Sequence, residues 1–302
     1  MRVGFIGLGN MGEPMATRLA SAAIDLSVVS RRSDVRDRLT AVGAEAVDRA
    51  DELVECPILF TMLPDLPETM ALLDSSGLLD PPDRGLDRLI VVMSSVSPVA
   101  MAEAAGEVSM STNGSVRLVD APVSGGVGGA TSGRLSIMVG ASIGDFERLI
   151  PLLEVLGSTV RRMGPVGTGS LTKACNQLIV AATAAALGEA VVIAEESNVE
   201  VPALLDVLGG GLANSRLLHD KRQKILDADY SPSGAAGYMS KDLASLAAGA
   251  HAVGITTPVT SALREFYDRL VDDGFGALDL IATRAEIRHL SGRMDTTPRE
   301  RD

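Results

Sequence analysis

The pattern Gly7-Leu8-Gly9-Asn10-Met11-Gly12 follows a short apolar run, Val3 to Ile6, and precedes a helical stretch, Pro14 to Ala23. A strand that turns over three spaced glycines straight into a helix leaves few folds open. The first glycine permits the tight turn. The second lets the main chain approach a pyrophosphate, and the third lets helix and strand pack closely, so that phosphates meet the helix N-terminus. Alone such a pattern is a weak signal, but between a strand and a helix it marks a dinucleotide-binding βαβ unit. Leu8, Asn10 and Met11 are expected beside the cofactor with the glycines.

Further apolar runs alternate with helical patterns: Leu26 to Ser30, Ile58 to Met62, Leu89 to Met93, Val116 to Asp120 and Leu135 to Val139. Strands separated by helices build parallel sheets, so residues 1 to 164 read as an α/β domain with a doubly wound sheet. After Gly167 such runs stop, and 165 to 302 reads as an all-α domain. A long helix, Leu171 to Ser197, about 40 Å at 1.5 Å per residue, joins the two. From Leu178 to Ala194 it is apolar except for Glu189. That is short of the roughly 20 clean apolar residues a membrane span needs, so the helix is expected to be buried between domains or between subunits of a homodimer or homotetramer. Asp80 to Gly85 reads as a loop and Asp295 to Asp302 as a disordered polar tail.

The formal net charge of −12 leaves no basic face of the kind that holds a nucleic-acid backbone or an anionic membrane. Small molecules are the expected partners. With no tryptophan, the core must be packed from Ala, Val, Leu, Ile and Met. Cys56 and Cys175 are the only cysteines and form no CxxC pair, which fits a reducing compartment and predicts no disulfide. His219, His251 and His289 are widely spaced and lack an HExxH pattern, so no metal site is expected. No basic and apolar leader opens the chain, and a cytoplasmic location is the expectation.

In an NAD site the second strand ends in a carboxylate that holds the ribose 2′-hydroxyl. Here it ends in Ser30, Arg31, Arg32 and Ser33. A carboxylate would repel a 2′-phosphate, whereas an arginine clamps it through charge-assisted bonds. NADP(H) is therefore favoured over NAD. Ser33 is expected to cap the next helix.

Lysine is scarce: Lys173, Lys221, Lys224 and Lys241 are the only ones among 27 Lys and Arg. Positions three and four apart share a helix face, so Lys173, Asn176 and Gln177 form a compact polar cluster near the start of the long helix. A helix-start lysine often only snorkels to water, yet this one enters an apolar helix beside two amides. A second glycine-rich loop, Asp120 to Ala130, follows a strand. Its successive N–H groups could make an anion nest, and the Ser124 hydroxyl adds a donor for a carboxylate.

Together the motifs GFIGLGNMG (4 to 12), MLPD (62 to 65), SSVSP (94 to 98), DAPVSGG (120 to 126), IMVG (137 to 140), GTGSLTKACNQ (167 to 177) and KDLASLA (241 to 247) resemble the β-hydroxyacid dehydrogenases. That group includes 3-hydroxyisobutyrate dehydrogenase, tartronate semialdehyde reductase and the glyoxylate/succinic semialdehyde reductases. The resemblance implies an N-terminal Rossmann domain, a C-terminal helical domain of the 6-phosphogluconate dehydrogenase kind and a site in the cleft between them. It implies Lys173 as catalytic acid/base with Asn176. Substrate contacts are implied for Ser95, Ser124, Gly125, Gly126, Lys241 and Asp242, and cofactor contacts for Met62, Leu63, Pro64, Ser95 and Lys241. Four residues depart from the pattern. Val92 and Met93 stand where an acidic residue often precedes SSVSP, Gly234 where a substrate-facing phenylalanine is common, and Arg134 where small polar residues are usual.

The implied chemistry is hydride transfer between NADP(H) and a short 3-hydroxy acid or its semialdehyde, the cofactor supplying the hydride and the protein a position and a proton. Burial beside Lys241 would favour the neutral Lys173 amine that proton abstraction needs. The alternatives are an imine reductase, whose members usually carry another residue at the lysine position, and a non-catalytic NADP(H)-binding module.

Overall fold

The computed structural model describes residues 2–80 and 87–293. The expected loop at Asp80 to Gly85, beyond Asp80 itself, and the expected tail at Asp295 to Asp302 lie outside the described residues. The chain divides into two compact units, Met1–Ala174 and Cys175–Asp302.

In the first unit strands and helices alternate as β1 (Val3–Ile6), α1 (Gly12–Ser21), β2 (Leu26–Val29), α2 (Ser33–Ala41), β3 (Glu45–Val47), β4 (Ile58–Thr61), α3 (Leu66–Ser75), β5 (Arg88–Val92), α4 (Pro98–Ser111) and β6 (Val116–Asp120). Then come β7 (Val123–Ser124), α5 (Gly126–Ser132), β8 (Leu135–Gly140), α6 (Ile143–Leu156) and β9 (Gly157–Gly164). The strand order is β3-β2-β1-β4-β5-β6-β8-β7, with β9 paired to β8. The first six strands are parallel, with Val3 opposite Ile58 and Ile6 opposite Thr61 in the central pair. Beyond β6 the sheet turns mixed, because β8 runs antiparallel to β6 and β7. This is a Rossmann sheet with an added edge.

The period of two along each strand sorts the apolar residues onto two faces. Phe5, Phe60 and Val91 pack with Met15 and Leu19 of α1 and Leu149 and Leu153 of α6. Ile6, Leu59 and Ile90 pack instead with Leu73 of α3 and Met101 and Val108 of α4. Each such side chain contributes roughly 1.5–3 kcal/mol when fully buried. The helices begin where the chemistry permits: Asp65 accepts the Glu68 N–H at 2.8 Å to start α3, and Ser142 accepts the Asp145 N–H at 3.0 Å to start α6.

The long helix α7 (Thr168–Glu196) begins three residues before the sequence estimate, and the boundary between the units falls within it. The second unit adds α8 (Val201–Gly210), α9 (Arg216–Asp227), α10 (Tyr238–Ala252), α11 (Pro258–Asp272) and α12 (Thr283–Leu290). Contrary to the sequence estimate, α7 is long and apolar enough, by length and composition alone, to cross a membrane. Packing gives the helix another role: Ala181 and Ala184 join Met239, Leu243 and Tyr267 in one core, and Val191 joins Leu205, Ile225 and Ile281 in another. The Tyr267 hydroxyl donates to the Ala181 carbonyl at 3.0 Å and Thr283 to the Ala184 carbonyl at 2.9 Å. Small residues along α7 permit this approach, since a Cβ on Gly188 would stand 2.8 Å from the Thr283 hydroxyl.

Candidate active site

The glycine loop is built by two different constraints. Gly7 has φ +98°, and a Cβ there would lie 2.4 Å from the Met62 carbonyl; a Cβ on Gly12 would lie 1.8 Å from the Gly7 carbonyl. Both positions are closed by the chain itself. Around Gly9, in contrast, a Cβ would meet nothing within 4 Å, so the middle glycine faces open space, where a pyrophosphate fits. Leu8 is buried beneath the loop, and Asn10 is exposed. The Met62 N–H donates to the Ile6 carbonyl at 2.8 Å, which seats the Met62 to Pro64 segment against the loop at the β1–β4 switch point. Ligands of open α/β sheets bind at such points.

At the end of β2 the two arginines differ. Arg32 Nη2 donates to the Leu8 carbonyl of the glycine loop and lies 3.7 Å from Glu13, which also pairs with Arg38 at 2.7 Å. The buried Ser30 hydroxyl accepts the Arg32 N–H at 3.2 Å. Arg31 is exposed and makes no hydrogen bond or ion pair among the described residues. The expectation that Ser33 caps α2 is corrected: Ser33 is the first helical residue, Arg32 holds the cap position, and no side chain caps this helix. The Ser30 hydroxyl is instead spent on the turn just before it.

At the end of β6, Asp120 is fully buried and accepts two main-chain N–H groups, from Gly167 at 2.8 Å and Ser170 at 2.6 Å. Burial raises its carboxyl above the ordinary value, against the pull of those N–H donors. Four residues on, Ser124 pairs with Ser136 of β8, and Gly125 (φ +134°) and Gly126 (φ +60°) turn the chain into α5. Most side chains resist such angles. Ser95 is partly buried beyond the end of β5. Arg134 is exposed and donates to the Ser132 hydroxyl at 3.1 Å.

Lys173 is among the few buried charged side chains. One turn along α7, the Asn176 amide donates to Gln177 Oε1 at 3.2 Å, and Gln177 Nε2 donates to Asp242 Oδ2 at 2.7 Å. The second unit thus joins the asparagine and glutamine to the Lys241–Asp242 motif at the start of α10; Asp242 is buried and Lys241 exposed. Gly234 lies in the loop leading into α10, and a Cβ there would meet nothing within 4 Å. That loop is held by the buried Asp279, which accepts from Lys221 at 2.7 Å, from the Ser233 N–H at 2.9 Å and from the Ser233 hydroxyl at 2.7 Å. Asp120, Glu13 and Asp279 were not legible as site-building residues, because each acts on partners remote in sequence.

Residues 2–164 match the family model of the NAD binding domain of 6-phosphogluconate dehydrogenase, and 167–285 that of the NAD-binding region of NADP-dependent 3-hydroxyisobutyrate dehydrogenase. The 2-hydroxy-3-oxopropionate reductase of Escherichia coli (strain K12) is 36% identical over 281 residues, 92% of this chain and 94% of that one. The chain belongs to the β-hydroxyacid dehydrogenase family. Within this family it also resembles the 2-(hydroxymethyl)glutarate dehydrogenase of Eubacterium barkeri, 30% identical over 97% of this chain and 96% of that one. Among solved structures, 3-hydroxyisobutyrate dehydrogenase from Salmonella typhimurium superposes with a TM-score of 0.83 at 27% identity, covering 94% of this chain and 99% of that one. A β-hydroxyacid dehydrogenase of this build is an NAD(P)-dependent oxidoreductase of hydroxy acids, and the glycine loop described above fits that cofactor.

Proposed function

We propose that the chain transfers a hydride between NADP(H) and a short 3-hydroxy acid or its semialdehyde, with Lys173 as general acid and base. The observation that carries this reading is the polar face of α7. Lys173 is buried on it, and Asn176 and Gln177 follow one turn later, the latter bonded to Asp242 at 2.7 Å. In reduction Lys173 gives a proton to the carbonyl oxygen as it becomes an alcohol; in oxidation the neutral amine removes the hydroxyl proton. When bound, the nicotinamide supplies or accepts the hydride. Ser124 and the main chain of Gly125 and Gly126 offer donors to the substrate carboxylate, and Asn176 offers its amide. Ser95 of the first unit, and Lys241 and Asp242 of the second, are the further substrate contacts proposed on the family resemblance. The names of the relatives support the substrate class, since 2-(hydroxymethyl)glutarate and 3-hydroxyisobutyrate both carry a hydroxymethyl group beside a carboxylate.

For the cofactor, Gly7, Gly9 and Gly12 cradle the pyrophosphate, Met62 to Pro64 lie alongside, and Ser30 and Arg32 shape the turn that presents Arg31. An exposed guanidinium without an internal partner, standing where an NAD site has a carboxylate, supports NADP(H) over NAD.

The outward residues Ile179, Ala186 and Ile193 of α7 recur at heptad spacing, which supports pairing with a second copy in a dimer or tetramer. A cytoplasmic, carboxylate-handling enzyme without a nucleic-acid or membrane partner completes the proposal.

The test is a panel of semialdehydes, 3-hydroxy acids and a cyclic imine assayed with NADPH or NADP⁺, and with NADH or NAD⁺. Turnover of the carbonyl or hydroxy acids with the phosphorylated cofactor supports the reading. Preference for the imine would replace it with an imine reductase, and no turnover with a binding module.

A further inference from the structure

We infer that Asp120 is a positioning residue: one buried carboxylate sets the start of the helix that carries Lys173 relative to the loop that carries Ser124. The first N–H groups of a helix have no partner within it. Ser170 is the third residue of α7, and its N–H goes to Asp120 Oδ2 at 2.6 Å, while the N–H of Gly167, just before the helix, goes to Oδ1 at 2.8 Å. Lys173 follows Ser170 by three residues, less than one turn. In the other direction the chain runs only four residues from Asp120 to Ser124.

The surroundings leave the carboxylate and the helix start little room. Asp120 is opposite Gly140 of β8, and a Cβ on Gly140 would lie 2.1 Å from Oδ1. A Cβ on Gly169 would lie 2.3 Å from the Met138 carbonyl, so the first turn of α7 is pressed against β8. Sliding that turn would break two charge-assisted bonds in a buried place. An amide in place of the carboxylate keeps one acceptor and turns an NH₂ toward an N–H, so the helix start must shift. A misplacement of about 1 Å is enough to lower a rate up to about 100-fold.

The inference rests on Lys173 being the acid/base, and the experiment separates the two. Asp120→Asn, Lys173→Ala and the double variant are compared for kcat, for KM of the substrate and for NADPH affinity. Asp120→Asn is expected to lower kcat about 10- to 100-fold with NADPH affinity unchanged, and to add no further loss in the Lys173→Ala background, the non-additivity of groups that act as a unit. A purely structural role would multiply the two losses, and that result overturns the inference. A loss in Lys173→Ala with none in Asp120→Asn overturns it alone; full turnover in Lys173→Ala removes the reading beneath it as well. Gly140→Ala, which displaces the carboxylate without removing it, is the second variant and is expected to behave like Asp120→Asn. If neither folds, amide hydrogen exchange in the wild-type protein decides: protection at Gly167 and Ser170 supports the anchor, and exchange at the unprotected rate overturns it.

Discussion

The side-chain amide of Gln177 donates to the buried carboxylate of Asp242 at 2.7 Å, joining α7 to α10 through two motifs 65 residues apart. Gln177 also accepts from Asn176, so one side chain serves both. Gln177→Leu removes a donor from a buried carboxylate and is expected to cost about 1–3 kcal/mol. Urea unfolding would report this as a lower midpoint with unchanged slope.

Lys173→Ala is expected to lower turnover by about 10² to 10⁴, the usual reach of general acid–base catalysis, with NADPH binding nearly unchanged. Steady-state rates and a fluorescence titration of NADPH check the two halves separately. Near wild-type turnover would end the assignment.

Arg31→Ala is expected to weaken NADPH binding by roughly 1.5–3 kcal/mol, the scale of a hydrogen bond to a charged group, and to leave NADH almost unaffected. Arg31 has no internal partner among the described residues, so its loss disturbs little else. A wild-type enzyme more efficient with NADH than with NADPH would show the strand-end reasoning to be wrong.

Gly234→Phe is sterically permitted, since nothing lies within 4 Å of a Cβ there. If the loop faces the substrate, the ring fills about 150–250 Å² of surface and the variant should turn against bulkier 3-hydroxy acids. Each methylene accommodated is worth about 1–3 kcal/mol, so catalytic efficiency along a series of rising side-chain size should rise in the wild type and fall in the variant. A flat series in both would mean that position 234 does not set substrate size.

Glu286 is buried in α12. Burial first, then the charge of Asp273, push its carboxyl from 4.5 up to about 7, against the opposing charges of His289 and Arg269. The folded state therefore holds a proton that the unfolded chain has released between those values. The stability this group contributes is present below pH 4.5 and is lost as pH rises through about 7. Glu286→Gln is expected to flatten that part of the profile of Tm against pH; an unchanged slope would assign it to another group.

β1, β2, β4, β5 and β6 of the parallel core, and β8 beyond it, were readable because each is a mostly apolar, mostly buried run bounded by turn residues. β3 and β7 were not, being only three and two residues long. β9 escaped for another reason: it exposes Ser158, Thr159, Arg161, Arg162 and Met163 and buries Gly157 and Val160, a pattern closer to a polar loop than to a strand. At the candidate site the glycine loop and the α7 cluster were legible because their chemistry is local. The divergence of Arg31 from Arg32 was not, since it depends on Leu8 in the β1–α1 turn and Glu13 in α1. Nor was the role of Asp120, whose partners arrive 47 and 50 residues later.

That last separation also has a meaning in time. All six parallel strands, β3-β2-β1-β4-β5-β6, are made from residues up to Asp120, and chains fold from the N-terminus as they are synthesised, at roughly 5–20 residues per second. The acceptor at the rim of β6 therefore leaves the ribosome seconds before the donors of α7 do, 47 and 50 residues later. Because Gly167 and Ser170 belong to the same compact unit as Asp120, the last anchors of that unit arrive only with the start of α7.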